Sequence, residues 1–309
     1  MKVTRLCPAK VNLFLEVTGK RPNGYHELST LFAKIDWADT LCVDAIPAPC
    51  SRITLQVVGP LASKVPPTPS NLVWKAAQAF LDATGLTANI RLTLHKHIPT
   101  GAGLGGGSSD AAGVLLALCK IFNQNPRKML PVATRLGADV PLFMYPDTFL
   151  KGEGIGEKLT PVACGKTLPY LVLVYPNTAV STPSVFSRMK LPTPTEILTS
   201  QNKFDKLLDV VRNGKPMENW KPLLFNRLEE FVLPFVPAVK EAHAALASAN
   251  EGICMMSGSG STVFTLVGTK QHAQELAARL QHSGALVFPA AFYEETHYAN
   301  HGDKDSSNE

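Results

Sequence analysis

The chain has 309 residues and a mass of 33.3 kDa, with 45% hydrophobic and 18% charged residues. That composition supplies a core and excludes a wholly disordered chain, and the length suits two domains of ~100–200 residues each. Net charge is +5, but residues 294–309 carry −4, leaving +9 on the rest, with no Lys/Arg-rich run of the kind that marks a nucleic-acid tail. The excess favours small anionic ligands.

Taken in chain order, residues 10–17 alternate, with Val11, Leu13, Leu15 and Val17 on one face and Lys10, Asn12, Phe14 and Glu16 on the other. That period of two predicts a strand. Further strands are expected at 28–46 and 51–58, then a Pro-rich loop at 59–69. Ser70 is expected to cap a helix over 71–84 that Gly85 ends. Ile90, Leu92 and Leu94 mark another strand, and an apolar helix is expected over 109–122. Asn125-Pro126 can open the next helix, with Pro131 forcing a kink or a late start at Leu130 and Gly137 closing it. A buried strand follows at 170–175, then a mostly helical stretch broken by prolines at 190–225. Helices at 226–232 and 237–249, strands at 253–256 and 262–267, a helix at 270–282 and a strand at 285–292 complete the pattern. The segment from 294 on has no apolar period and is expected to be disordered. Strands and helices mix without strict alternation, which predicts an α+β fold.

Apolar runs such as 111–119 fall far short of the ~18–20 residues that a spanning helix needs. Pro8 and Lys10 interrupt what would be a signal core, so a cytoplasmic protein is expected. The six cysteines show no C-x-x-C spacing and read as small buried hydrophobes.

Gly101, Gly103, Gly105, Gly106 and Gly107 fall between a predicted strand and a predicted helix. Glycine lets the backbone come close to a ligand, and the helix start adds free N–H groups and a positive dipole end. Ser108 and Ser109 add hydroxyls. The set suits a polyphosphate. It is not a Walker A loop, because the position five before Gly165 in Gly165-Lys-Thr167 is Thr160. Gly101, Gly103 and Gly106 do match G-x-G-x-x-G, but no acidic residue lies about 20 positions on, as a dinucleotide fold requires. Protein-kinase signatures are absent from the sequence. A glycine-rich turn without a ligand is the bland alternative.

Pro99-Thr-Gly-Ala-Gly-Leu-Gly-Gly-Gly-Ser-Ser109 resembles the second motif of the GHMP kinases, which phosphorylate small molecules. Pro8-Ala-Lys-Val-Asn-Leu13 resembles their N-terminal motif, and Met256-Ser-Gly-Ser-Gly-Ser-Thr-Val-Phe264 their C-terminal glycine motif. Arg21-Pro-Asn-Gly-Tyr-His-Glu-Leu28, Leu136-Gly-Ala-Asp-Val-Pro141 and the loop Gly152-x-Gly-x-Gly-Glu157 are similar to the branch that phosphorylates a cytidine-diphosphate-linked alcohol in non-mevalonate isoprenoid biosynthesis. The resemblance implies a first domain over 1–158 like domain 2 of ribosomal protein S5, a ferredoxin-like domain over 159–293, and an acidic tail over 294–309.

It further implies ATP as phosphoryl donor with Mg2+, for which Ser108 is a candidate ligand. ATP would be held by Lys96, Pro99, Thr100, Gly101, Ala102, Gly103, Leu104, Gly105, Gly106, Gly107, Ser108 and Ser109. Asp139 would take the proton of the attacking hydroxyl, beside Lys10 as the catalytic cation. On the residues alone, Asp139 also reads as a turn aspartate and Lys10 as a solvated edge lysine. Lys10 and Asn12 share a strand face, about 7 Å apart, and Asn12 would hydrogen-bond the substrate. By the resemblance, Tyr25 and Phe186 sandwich the cytosine, with His26 reading its edge. His95 and His97 share a strand face without a third ligand and read as polar residues beside the nucleotide. Gly258 and Gly260 read either as a turn backing the cleft or as a plain tight turn. No nucleic-acid or membrane partner is expected, and the chain is expected as a monomer or weak homodimer. The alternatives are a mevalonate- or homoserine-type kinase, or a nucleotide-binding protein without catalysis.

Overall fold

A computed structural model describes residues 1–250, 254–281 and 284–294. The elements in order are β1 (Lys2–Lys20), β2 (His26–Pro47), β3 (Arg52–Val58), α1 (Leu72–Thr84), β4 (Ala88–His95), α2 (Gly106–Ile121), α3 (Leu130–Leu136), β5 (Phe149–Gly154), β6 (Lys158–Val162) and β7 (Tyr170–Tyr175). Then follow α4 (Thr182–Arg188), α5 (Pro194–Arg212), α6 (Met217–Trp220), β8 (Phe225–Asn226), α7 (Glu229–Val232), α8 (Pro237–Ala249), β9 (Met255–Met256), β10 (Val263–Val267), α9 (Lys270–Leu280) and β11 (Leu286–Ala290).

Two sheets organise these elements. The larger runs β3-β4-β2-β1-β8, and β5 with β6 adds to the far half of β2. The long β2 makes this possible: its residues Leu28 to Ala33 pair with β5, and Thr40 to Pro47 pair with β4. The smaller sheet runs β11-β7-β10-β9, all antiparallel. One core packs α1, α2 and α3 on the larger sheet through Phe80, Leu92 and Leu115. A second joins Val11, Leu13 and Phe14 of β1 to Phe204 of α5 and Phe264 of β10, so the two sheets share apolar contacts. A third lies around β7, β10, α8 and α9. No helix among the described residues is long and apolar enough to cross a membrane.

The α+β expectation holds. Several details change. Phe14 was expected opposite Val11 and Leu13, yet it shares their core and stacks on Phe204 with ring centroids 4.6 Å apart. The cause is a bulge: Asn12 pairs with Phe32 and Phe14 with Leu31, which leaves Leu13 without a register partner. The alternation slips by one residue, so that Leu15, not Phe14, joins Lys10 and Asn12 on the cavity side. The α1 cap is Asn71, whose side chain accepts from Val73 N–H, while the Ser70 hydroxyl pairs with Thr68. Gly85 ends the helix in the left-handed region, as expected. Pro131 acts as a boundary: a 3₁₀ turn (Pro126–Met129) capped by Asn125 precedes α3 at Leu130.

Gly152 lies inside β5 rather than in a loop, paired with Thr30 and Leu159, and it is glycine where a Cβ would meet the Phe32 ring at 2.6 Å. The helix expected at 226–232 is only Glu229–Val232, and Asn226 is in β8. Cys7 and Cys119 are buried as expected, whereas Cys50 and Cys164 are exposed. Residue 253 and the segment 295–309 fall outside the described residues.

Candidate active site

A cavity of about 560 Å³ opens between the β1–β2 face, the start of α2, and the turn between β9 and β10. Of the expected site residues, Lys10, Asn12, Lys96, Pro99, Thr100, Gly101, Ala102, Gly103, Gly105, Gly106, Gly107, Ser108, Asp139 and Phe186 line it. So do Gly258 and Gly260, which makes the second glycine turn a wall of the cleft.

The glycine loop winds through left-handed backbone at Gly101, Gly103 and Gly105 and enters α2 at Gly106, three residues before the expected start. The helical bond from Ser109 N–H to Gly105 O is 2.9 Å long. The N–H groups of Gly106, Gly107 and Ser108 in the first turn thus have no intrahelical acceptor, and they lie at the positive end of the helix dipole. The glycines serve different ends. A Cβ on Gly103 would lie 2.1 Å from Ser257 O, and one on Gly106 would lie 2.8 Å from Ile98 Cγ2. Close packing within the protein explains those two. A Cβ on Gly107 would meet nothing within 4 Å, so Gly107 is the glycine that leaves open space for a ligand.

The two glycine segments are stitched together. Ser257 Oγ donates to Gly103 O at 2.9 Å, and Thr262 N–H donates to Ala102 O at 3.1 Å. Thr182 of α4 and Ser259 share a hydroxyl hydrogen bond of 2.6 Å.

Lys10 is buried, with its Nζ 3.7 Å from Asp139 Oδ2 and donating to Asn12 Oδ1 at 2.8 Å. Burial lowers the pKa of its ammonium, and Asp139 opposes that shift. Asn12 in turn donates from Nδ2 to Thr30 Oγ1 at 2.9 Å. Its side chain therefore orients Lys10 as well as facing the cavity. Asp139 sits just after α3 and half-exposed at the cavity wall, where a hydroxyl could reach it.

Lys96 differs from the expectation of an ATP contact. Its Nζ is ion-paired with Asp39 Oδ2 and with Asp110 Oδ2, the latter at 2.8 Å, and all three side chains are buried. Asp39 Oδ1 also accepts from His97 N–H at 2.5 Å and Ile98 N–H at 2.9 Å. Burial alone would lower the Lys96 pKa, but the two carboxylates outweigh it and the net shift is upward. Burial pushes the Asp110 carboxyl up against the pull of Lys96. The cluster ties β2, β4 and α2 together under the loop. Its ammonium is committed there because two buried carboxylates need a counter-charge.

Four expected site residues lie outside the lining. Leu104 is buried in the second core, and its carbonyl accepts from Lys10 N–H at 2.9 Å. Ser109 is buried on the other side of the helix, and its Oγ has no hydrogen-bond partner among the described residues. Tyr25 stands 60% exposed on the turn before β2. The ring stacked on Phe186 is His26, with centroids 4.9 Å apart, rather than Tyr25. His95 and His97 are exposed, and no group of metal-ligating side chains occurs among the described residues.

Sequence reasoning missed Asp39, Phe32 and Ile155. Asp39 carried a signal, being a carboxylate in an apolar strand run beside Trp37 and Leu41. Phe32 and Ile155 look like any core residue in the sequence, but Phe32 of β2 and Ile155 of the turn between β5 and β6 both line the cavity.

Comparison with known proteins shows the family. Residues 71–147 match the GHMP kinases N terminal domain, and residues 206–286 match the GHMP kinases C terminal family. A 4-diphosphocytidyl-2-C-methyl-D-erythritol kinase of Citrifermentans bemidjiense is 37% identical over 281 residues, 90% of this chain and 94% of that one. One of Thermus thermophilus is 36% identical over 279 residues, covering 90% and 92%. The crystal structure of a 4-(cytidine 5'-diphospho)-2C-methyl-D-erythritol kinase superposes with a TM-score of 0.75 at 34% identity, covering 94% of this chain and all of that one. A homoserine kinase from Cytophaga hutchinsonii reaches the same TM-score of 0.75 at 16% identity, a likeness of fold alone. The chain belongs to the GHMP kinases, in the branch of the 4-diphosphocytidyl-2-C-methyl-D-erythritol kinases.

Proposed function

We propose that the protein transfers the γ-phosphoryl group of ATP to the C2 hydroxyl of 4-diphosphocytidyl-2-C-methyl-D-erythritol, giving the 2-phosphate and ADP. The observation that carries this reading is the Lys10–Asp139 pair, 3.7 Å apart, in one cavity with the N–H groups that open α2. Asp139 takes the hydroxyl proton as the oxygen bonds to Pγ. The bond from Pγ to the bridging oxygen breaks, and its electrons leave on ADP. Lys10 orients Asp139 through their 3.7 Å contact and steadies charge on the reacting oxygens. The N–H groups of Gly106, Gly107 and Ser108 hold the phosphates.

Mg2+ would accompany ATP. Ser108, one of two loop hydroxyls that line the cavity with Thr100, would hold the ion, which would supply charge neutralisation on the phosphates. Cytosine stacks on Phe186. Because His26 already covers one face of that ring, Tyr25 must move in from solvent or His26 must turn aside to read the base edge.

The reading keeps the division into 1–158 and 159–293, with β6 and β8 of the second unit lent to the larger sheet. It also keeps a cytoplasmic monomer or weak homodimer acting on an anionic small molecule. A coupled ADP-release assay tests it with the cytidyl alcohol, its uridyl analogue, mevalonate and homoserine. The cytidyl alcohol should be the preferred acceptor. Faster turnover of mevalonate or homoserine would overturn the substrate assignment.

A further inference from the structure

Asn226 takes no part in the chemistry above. It is buried at 3% exposure on the short strand β8, in register with Leu15 of β1. Its side chain is engaged with backbone on both ends. Nδ2 donates to Met256 O at 2.6 Å and to Gly258 O at 2.8 Å, and Oδ1 accepts from Leu228 N–H at 3.0 Å. Neighbours hold the same junction. Glu229 accepts from Met256 N–H at 2.6 Å, and Arg227 is fastened to Glu16 of β1 through two bonds of 2.9 Å.

The turn that Asn226 grips stands directly against the reacting groups. A Cβ on Gly258 would lie 3.3 Å from Lys10 Nζ and 3.4 Å from Asn12 Oδ1. The C=O and N–H of a trans peptide point in opposite directions. The bond to Gly258 O therefore turns the next N–H, that of Ser259, away from Asn226, and both turn residues line the cavity.

We propose that Asn226 is a positioning residue for phosphoryl transfer: it holds the 257–260 turn at a fixed height over Lys10 and Asn12 and sets the orientation of the peptide that faces them. The inference rests on the kinase reading. Asn226→Asp keeps the shape of the side chain but replaces the donor with an oxygen facing two carbonyls. Asn226→Ala removes the donor without adding charge. Both are compared with Leu276→Ala, a core change in α9 away from the cavity.

The measurements are kcat and both KM values per mole of folded enzyme, with the folded fraction taken from near-UV circular dichroism and the melting temperature recorded. Misplacement by ~1 Å costs on the order of 10²-fold. Both Asn226 variants should lose about tenfold to a hundredfold in kcat, with KM for the alcohol nearly unchanged. Leu276→Ala should lose melting temperature but not kcat. Wild-type kcat in the folded Asn226 variants, or a loss matched by Leu276→Ala, would overturn the proposal. So would failure of both to fold, which would make Asn226 a folding determinant. The ratio of variant to wild type is read on whichever alcohol the wild type phosphorylates. A wrong substrate assignment therefore shows in the wild type and leaves this test intact.

Discussion

Replacing Gly107 by alanine should raise stability and weaken ATP binding at once. Gly107 is the second residue of α2, exposed, and free of any atom within 4 Å of an added Cβ. Alanine is favoured over glycine in a helix interior by ~0.8–1.0 kcal/mol, and about half of that is expected in the first turn. For a chain of this size that corresponds to a melting temperature about 0.5–1 °C higher. The same methyl group stands where phosphate must approach the backbone. A charge-assisted hydrogen bond is worth ~1.5–3 kcal/mol. Losing about half of one raises KM for ATP by roughly fourfold to tenfold, because 1.4 kcal/mol is a factor of ten. Thermal melting and steady-state kinetics at varied ATP read the two effects separately. A stabilised variant with an unchanged KM for ATP would refute the placement of phosphate at the start of α2. Gly103 and Gly106 are poorer probes, since a Cβ on either strikes Ser257 O or Ile98 inside the protein and confounds binding with folding.

Asp139→Asn should abolish turnover while ATP still binds, since general-base assistance is worth ~10²–10⁴-fold; a variant retaining more than about a tenth of the wild-type rate shows that Asp139 is not the base. Tyr25→Ala should raise KM for the cytidyl alcohol about tenfold, from the ~1–3 kcal/mol of one stack, and leave KM for ATP alone. His26→Ala should narrow the preference for cytidine over uridine, read as the ratio of kcat/KM values; an unchanged ratio removes His26 from base recognition. Burial lowers the pKa of Lys10, so kcat should fall with rising pH at a lower pH than an ordinary lysine would set. The protonated form is the active one in this reading. A rate that climbs steadily through that range would contradict a cationic Lys10.

Much of the fold was legible because its signals are local. The alternation of Ile90, Leu92 and Leu94 predicted β4, and Gly85 and Pro131 fixed helix boundaries through backbone restrictions that hold in any context. What stayed hidden depends on partners distant in sequence. The exchange of Phe14 for Leu15 on the cavity side follows from how β1 registers against β2, and no feature of residues 10–17 alone announces a bulge. The segment Gly152–Glu157 was expected as a loop by resemblance, but its first three residues finish β5. Only the approach of Phe32 from β2 explains why a strand needs glycine there.

The site divides in the same way, and the division says what its residues do. Lys10, Asp139 and Gly107, each expected from its motif, line the cavity. Ser109 closes the glycine motif and Lys96 stands three residues before it; both were expected to hold ATP, yet Lys96 is bound by Asp39 and Asp110 and Ser109 is buried behind the helix. A motif therefore mixes residues that touch the ligand with residues that support the loop, and spacing cannot separate them. Burial can. A polar group that is buried and hydrogen-bonded to protein, as Lys96 and Asn226 are, influences the reaction through what it holds. Lys10 is buried too, but its carboxylate partner is half-exposed at the cavity wall. The Lys10–Asp139 pair is where the interior of the protein meets the space in which an alcohol and a phosphate can be brought together.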